Sequence, residues 1–501
     1  MRHDEQVLAA LLVPELRWDP GHGFAYLRDA IDDAIEAEVG GFLITGGPRD
    51  EVAALTRELH RRSHMPLLIA ADVEAGAGAQ FSGLTGLPPA GALGALRDSE
   101  VVRRAARLTA RELRSVGINW ALAPVADLDV HPANPFLGAR AFGADAQRVA
   151  EWVVEWVDTC QAEGVLAGVK HFPGIGRALA DPALTAVHID ELPRVLWAED
   201  MLPFRAATDA GVATVLVANV VFPRLDADGA PASRSRPLLS ELLRNELHFD
   251  GLIVSDAISQ TAARFGTDEP TAALESVQAG CDLLLATSDL GGVLDRLGRA
   301  LEAGELDIDA IELSRARRAF RANWAKPTSR PEREPTLDDV LWARQVADTL
   351  VYAVRGAIPN VGPVVDVIQV QDVAVAPWGG SVTTVGPTVG ETAAEPSPFV
   401  ATLRALGLSP RLVEGPTAEG RGAVVIVLHG GAGPGSGRAG FSDAARRRVA
   451  ELVAAARQQQ RPSVVMMFTH PRAVGELPEA PNVVCCWSGS RAMQEAAARR
   501  L

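Results

Sequence analysis

The stretch "GVLAGVKHFPGIG" (164–176) ends an apolar run on two adjacent cation-capable side chains, Lys170 and His171, then crosses a Gly-rich loop toward Asp181. Two donors at the mouth of a buried strand suit the hydroxyls of a polar ligand. Comparable residues close four other apolar runs: Asp72 after "PLLIAA", Asp127 after "INWALAPV", Asn219 after "TVLVA", and Ser255 with Asp256 after "GLIV". One such residue reads as a helix cap. Five strand ends carrying them read as a single ligand site.

Strand ends converge only when the strands run parallel in one sheet. The first 325 residues supply eight candidate strands, at 7–13, 40–46, 66–72, 118–125, 165–171, 214–220, 251–256 and 282–288. Between them lie amphipathic stretches such as "SEVVRRAARLTARELRSVG" and "AQRVAEWVVEWVDTCQAEG", the second ending at Gly164 as a helix C-cap does. Continuous apolar strands alternating with helices imply parallel strands covered on both faces. Eight such units predict an α/β fold of the (β/α)8 TIM barrel type, with its site at the C-terminal ends of the strands. A Pro- and charge-rich stretch, "AKPTSRPEREPT" (325–336), breaks the pattern and reads as a linker. The division expected is a barrel at 1–325, a linker at 326–337 and a smaller, doubly wound α/β domain at 338–501. In that second domain "HGGAGPGSGRAG" (429–440) lacks the GK[ST] of a phosphate loop and is expected to be a mobile loop.

Composition narrows the partners. At 501 residues the chain exceeds one ordinary domain, and a hydrophobic fraction of 48% is ample for large cores. A net charge of −15 argues against nucleic acid or an anionic membrane as the main partner. The four cysteines show no metal-ligand spacing, and Cys485 with Cys486 read as core thiols, so neither a metal nor an organic cofactor is called for. No run approaches the ~20 apolar residues of a membrane span. The opening residues lack an apolar leader with a cleavage site, so a soluble, cytoplasmic protein is expected.

Several longer motifs carry a family likeness. "APVADLDVHPANPFLGARAFG" (123–143), "VKHFPGIG" (169–176), "EDMLPFRAATDAGVATVLVANVVFP" (199–223), "PASRSRPLLSELLRNELHFDGLIVSDAIS" (231–259) and "ALESVQAGCDLLL" (273–285) resemble glycoside hydrolase family 3, in its bacterial β-N-acetylhexosaminidase branch. "THPRAVGELPEAPNVVCCWSGSRAMQEAAA" resembles the α/β sandwich domain that many members carry. The likeness implies a retaining glycosidase acting on a small carbohydrate, with Asp256 as nucleophile forming a glycosyl-enzyme intermediate. It implies that Lys170, His171 and Asp72 hold sugar hydroxyls and that Arg140 reaches into the same pocket. An N-acetylhexosaminide preference inside the cell would fit turnover of cell-wall muropeptides.

The chain also departs from that branch. Where the branch continues K-H-F-P-G-H-G and then D-S-H, Ile175 stands at the first loop histidine and "DPA" follows, so Ala183 occupies the place of the catalytic histidine beside Asp181. Ala77 and Gln80 stand where arginines are usual, and Asn219 where a histidine is. The nearest downstream histidine, His188, is five residues beyond Ala183. The sequence therefore leaves three readings open. One is an active or weakly active glycosidase, its acid supplied by Asp181, by His188, or from the second domain by Glu414, Glu419, Glu476 or Glu479. Another is an impaired relative that binds sugars. The third transfers the glycosyl group to an acceptor such as phosphate or another sugar; an acid from the second domain would resemble the β-glucosidase branches of the family. The first is preferred, because removing a general acid typically costs ~10²–10⁴-fold and leaves slow turnover.

Overall fold

The computed structural model describes residues 3–326, 335–372, 396–416 and 422–501. Eight strands form the first sheet: β1 (Leu12–Arg17), β2 (Gly41–Thr45), β3 (Leu68–Ala71), β4 (Trp120–Ala121), β5 (Leu166–Phe172), β7 (Thr214–Val217), β9 (Leu252–Val254) and β10 (Leu284–Thr287). Two further short strands, β6 (Val187–His188) and β8 (Val220–Val221), make a separate parallel ribbon above it. The large sheet is parallel throughout in the order β10-β1-β2-β3-β4-β5-β7-β9. A parallel bridge between Val254 and Leu283 joins the two ends of that order, and the sheet becomes a barrel.

Every residue of β2, β3, β7, β9 and β10 is buried, as strands must be when helices cover their outer face and packed side chains fill the barrel. The run at 7–13 departs from expectation. Val7–Ala9 complete the helix His3–Ala9, and the strand begins five residues late, at Leu12. A short, wholly apolar run carries no period to separate a buried helix from a buried strand.

The second sheet holds six strands: β11 (Tyr352–Arg355), β12 (Val364–Asp372), β13 (Ser409–Leu412), β14 (Val424–Gly430), β15 (Ser463–Phe468) and β16 (Val483–Cys485). Their order is β11-β16-β15-β14-β12-β13, parallel except for β11, which runs antiparallel along the β16 edge. Cys485 and Cys486 are buried in this sheet's core with free thiols. The helix Leu337–Thr349 opens this half of the chain with a capping box. The Thr336 side chain accepts from the Asp339 N–H, and the Asp339 carboxylate accepts from that of Thr336. Most of the stretch read as a linker, 327–334, lies outside the described residues, as does Glu419. No helix among the described residues is long and apolar enough to cross a membrane.

Candidate active site

Strand β5 delivers Lys170 and His171 to the barrel mouth, and the β5–β7 register shifts between Val169 and Phe172. Such an irregularity re-aims side chains that would otherwise alternate between faces. Lys170, only 2% exposed, donates from Nζ to Asp72 Oδ1 at 2.8 Å, and Glu74 Oε1 lies 2.6 Å from the same nitrogen. Arg140 grips both oxygens of Glu74, at 2.8 and 2.7 Å, and its guanidinium stacks 4.4 Å above the ring of Phe136. Phe136 in turn meets the His171 ring edge-on at 5.5 Å. His171 Nδ1 is 2.7 Å from Asp127 Oδ2, and the other Asp127 oxygen accepts from the Ile175 N–H at 2.9 Å.

Two cations and three carboxylates thus interlock at the ends of β3, β4 and β5. Burial opposes the charge on Glu74, but Arg140 and Lys170 outweigh it and hold its carboxyl far below the usual range. Burial likewise works against the Lys170 ammonium, yet Asp72 and Glu74 keep its pKa above normal. Fixed charges of this kind, already paired, need no rearrangement when a hydroxyl-rich ligand arrives. The Asp72 side chain, 46% exposed, is the member of the network most open to a ligand.

Asp256 sits directly beyond β9. One oxygen accepts from the Ala257 N–H at 2.7 Å, at the entrance to the helix Ile258–Phe265. Asn219 is buried, and its Oδ1 accepts from Ser233 Oγ at 2.6 Å. Its Nδ2 finds no acceptor among the described residues.

Asp181 is 2% exposed and accepts from the Ala183 N–H at 2.8 Å. Its second oxygen takes the N–H of Gly437 at 3.1 Å, and the Gly435 N–H also bonds this carboxylate. The glycine-rich stretch expected to be a mobile loop is therefore docked on the barrel. It is held further where the Gly433 N–H and Ser436 Oγ both donate to Pro135 O, at 2.8 and 2.9 Å. Glycine is required for this approach. Gly437 has φ +65°, and a Cβ on it would stand 3.1 Å from Leu184 Cδ1. Burial raises the Asp181 pKa, against the three N–H donors.

His188 is exposed in the β6–β8 ribbon, and among the described contacts none joins it to Asp181 or Asp256. Glu476 accepts from the Phe441 N–H at 2.8 Å and so anchors the far end of the docked loop, while Glu414 and Glu479 are exposed. Two residues escaped the sequence reading. Glu74 had a signal, a second carboxylate two positions after Asp72. Arg264 had none: it lies two turns into the helix after Asp256, in the field of both Asp256 and Asp181, with Nη2 donating to Gln260 Oε1 at 2.5 Å.

Comparison with known proteins agrees with this architecture. A family model described as "Glycosyl hydrolase family 3 N terminal domain" matches residues 30–321. A "Beta-N-acetylglucosaminidase/beta-glucosidase" of Cellulomonas fimi is 36% identical over 262 residues, 50% of this chain and 46% of that protein. A "Beta-hexosaminidase" of Thiobacillus denitrificans is 37% identical over 263 residues, 49% of this chain and 71% of the relative. The match thus spans less than half the length of the first relative and more than two thirds of the second. Among solved structures, a family 3 β-N-acetylglucosaminidase from Paenibacillus sp. str. FPU-7 superposes with a TM-score of 0.81 at 25% identity, over 99% of this chain and 95% of that one.

Proposed function

This chain belongs to glycosyl hydrolase family 3, and from that premise we propose that it cleaves terminal β-linked sugars, β-N-acetylhexosaminides foremost, through Asp256. The observation that carries the proposal is the pairing of one lightly held carboxylate with a locked polar network. Asp256 has a single backbone N–H on one oxygen, whereas Lys170, Asp72, Glu74 and Arg140 form a fixed array of hydroxyl partners. Relatives named β-hexosaminidase support the sugar class. In this reading the second Asp256 oxygen attacks the anomeric carbon as the glycosidic bond breaks. The leaving oxygen takes a proton, and water then releases the sugar from the Asp256 ester.

The leaving oxygen needs a proton donor. Asp181 is committed to three backbone N–H groups, but burial keeps its carboxyl more easily protonated than a free one, which supports it as the acid. The same observation favours a second reading. A carboxylate bound so fully to the docked loop serves as a latch, and an enzyme without an acid would bind sugars and turn them over slowly.

Nitrophenyl β-glycosides separate these readings, because nitrophenolate leaves without protonation whereas a sugar alkoxide does not. The wild-type protein is expected to cleave nitrophenyl β-N-acetylglucosaminide, and Asp256→Ala to abolish it. Brisk hydrolysis of natural disaccharides would establish a working acid. Binding of sugars without cleavage of either substrate class would sink the glycosidase reading.

A further inference from the structure

A chamber of about 800 Å³ opens beside the network just described. Asp72, Glu74 and Arg140 line one end of it, but Asp256, Asn219 and Arg264 do not. It therefore joins the carboxylate network to the crevice between the barrel and the helix Leu337–Thr349, and Asp256 is not among its walls. A volume of this size lies within the range of small-molecule sites, ~300–1,000 Å³.

Its walls carry both charges: Glu112, whose carboxylate accepts from the Thr85 N–H, and Glu495, paired with Arg491, line it as well. Leu337, Val340 and Leu341 line it and are exposed at 74%, 40% and 47%, an apolar strip on one helix with no protein covering it. One turn further along, Arg344 also lines the chamber, exposed, with no ion pair among the described residues. Across from them the segment Ala75–Gln80 contributes small side chains and Gln80, whose buried Oε1 has no donor among the described residues. An apolar strip suits the C–H face of a sugar ring, and a free guanidinium suits a carboxylate or phosphate.

We propose that this chamber is a second subsite, receiving an anionic group carried on the non-reducing side of the terminal sugar. The inference rests on the reading that puts the anomeric carbon at Asp256, which makes Asp72 the far end of the sugar. A closed wall behind Asp72 would restrict the site to unsubstituted terminal sugars. The half-exposed Asp72 side chain and the chamber beyond it allow the terminal sugar to be extended.

The test compares four nitrophenyl β-N-acetylglucosaminides: unsubstituted, extended at O4 by glucose, extended at O4 by glucuronic acid, and phosphorylated at O6. The acid-bearing substrates are expected to show kcat/KM at least about tenfold above the glucosyl one, the effect of one charge-assisted contact. The glucuronyl and phosphoryl arms tell which anion is meant. Arg344→Ala is expected to remove that advantage while the unsubstituted substrate is cleaved as before. Val340→Trp, which fills the chamber from an exposed position, is expected to slow only the extended substrates. The proposal is overturned if every extension slows cleavage by more than about a hundredfold, or if neutral and anionic extensions are equivalent. If none of the four substrates is cleaved, the glycosidase reading has failed. The chamber is then judged by calorimetry with glucuronyl-β-1,4-N-acetylglucosamine. Weaker binding to Arg344→Ala than to wild type upholds it, and equal binding overturns it.

Discussion

Glu74 shows how much one unremarked carboxylate can organise. It sits between Lys170 and Arg140 and compensates both, so the two cations remain charged although burial opposes it. Glu112 illustrates the opposite case. It is 3% exposed, both its oxygens accept from the Thr85 N–H, and burial pushes its pKa up to about 7 against those bonds. Below a pH of about 4.5 both folded and unfolded chains hold this proton, so the residue is neutral in the balance. As pH rises the unfolded chain ionises first, and folding stability falls through the window from there to about 7, by about 3 kcal/mol in total. Glu112→Gln keeps an acceptor for Thr85 and removes the titration. Denaturant melts across pH 5 to 8 should be flatter for the variant. Equal slopes in both proteins would show that Glu112 does not carry this dependence.

At the scale of elements, the informative piece is the loop after β14. Its glycines carry N–H groups to Asp181 and Pro135, so a segment of the second sheet roofs the barrel mouth. Asp181→Asn replaces an acceptor by an amide that presents its own donors to Gly435 and Gly437. Amide exchange at those two glycines is expected to speed up markedly in the variant. The catalytic consequence separates latch from acid. A latch loses activity on nitrophenyl and natural substrates alike, whereas an acid loses it mainly on substrates with poor leaving groups. Strand β5 contributes at the same scale: about its register shift, one strand end brings Lys170 to Asp72 and Glu74 and His171 to Asp127.

For the whole molecule, the second domain bears directly on the barrel. Arg472 donates to both oxygens of Asp129, at 2.5 and 2.6 Å, alongside the docked loop. Burial raises the Asp129 pKa, and Arg472 opposes that rise. His470, next to this pair, is held neutral because burial, aided by Arg472, pushes its pKa down to about 3. Arg472→Ala would leave Asp129 buried without its partner, at a cost of ~1–3 kcal/mol. That loss should appear in denaturant unfolding, and most strongly above the Asp129 pKa, where the carboxylate is charged. A variant as stable as wild type at neutral pH would show that the pair adds nothing to the contact between the two halves. The boundary between those halves is proposed at 326–337, a stretch that ends on the first residue of the capped helix that lines the chamber.

How much of this was legible in the sequence differs by kind of information. Continuous apolar strands, alternating with amphipathic helices and ending in Asp72, Lys170, His171 and Asp256, carry the barrel and its polar mouth, because hydrophobic patterning and strand ends are local properties. The motif likeness carried the family. The helical start at His3–Ala9 was hidden, since a short apolar run has no period. So was the docking of 430–438 on Asp181: a glycine-rich segment has no side chains whose pattern could announce a partner more than 250 positions away. Arg264 and the chamber beside Asp72 depend on which helix face meets which loop, and only the folded chain brings residues 72–80 opposite residues 337–344. Local pattern determined the elements and the residues offered to a ligand. Long-range contact decided which of them are paired, which are covered, and where space remains.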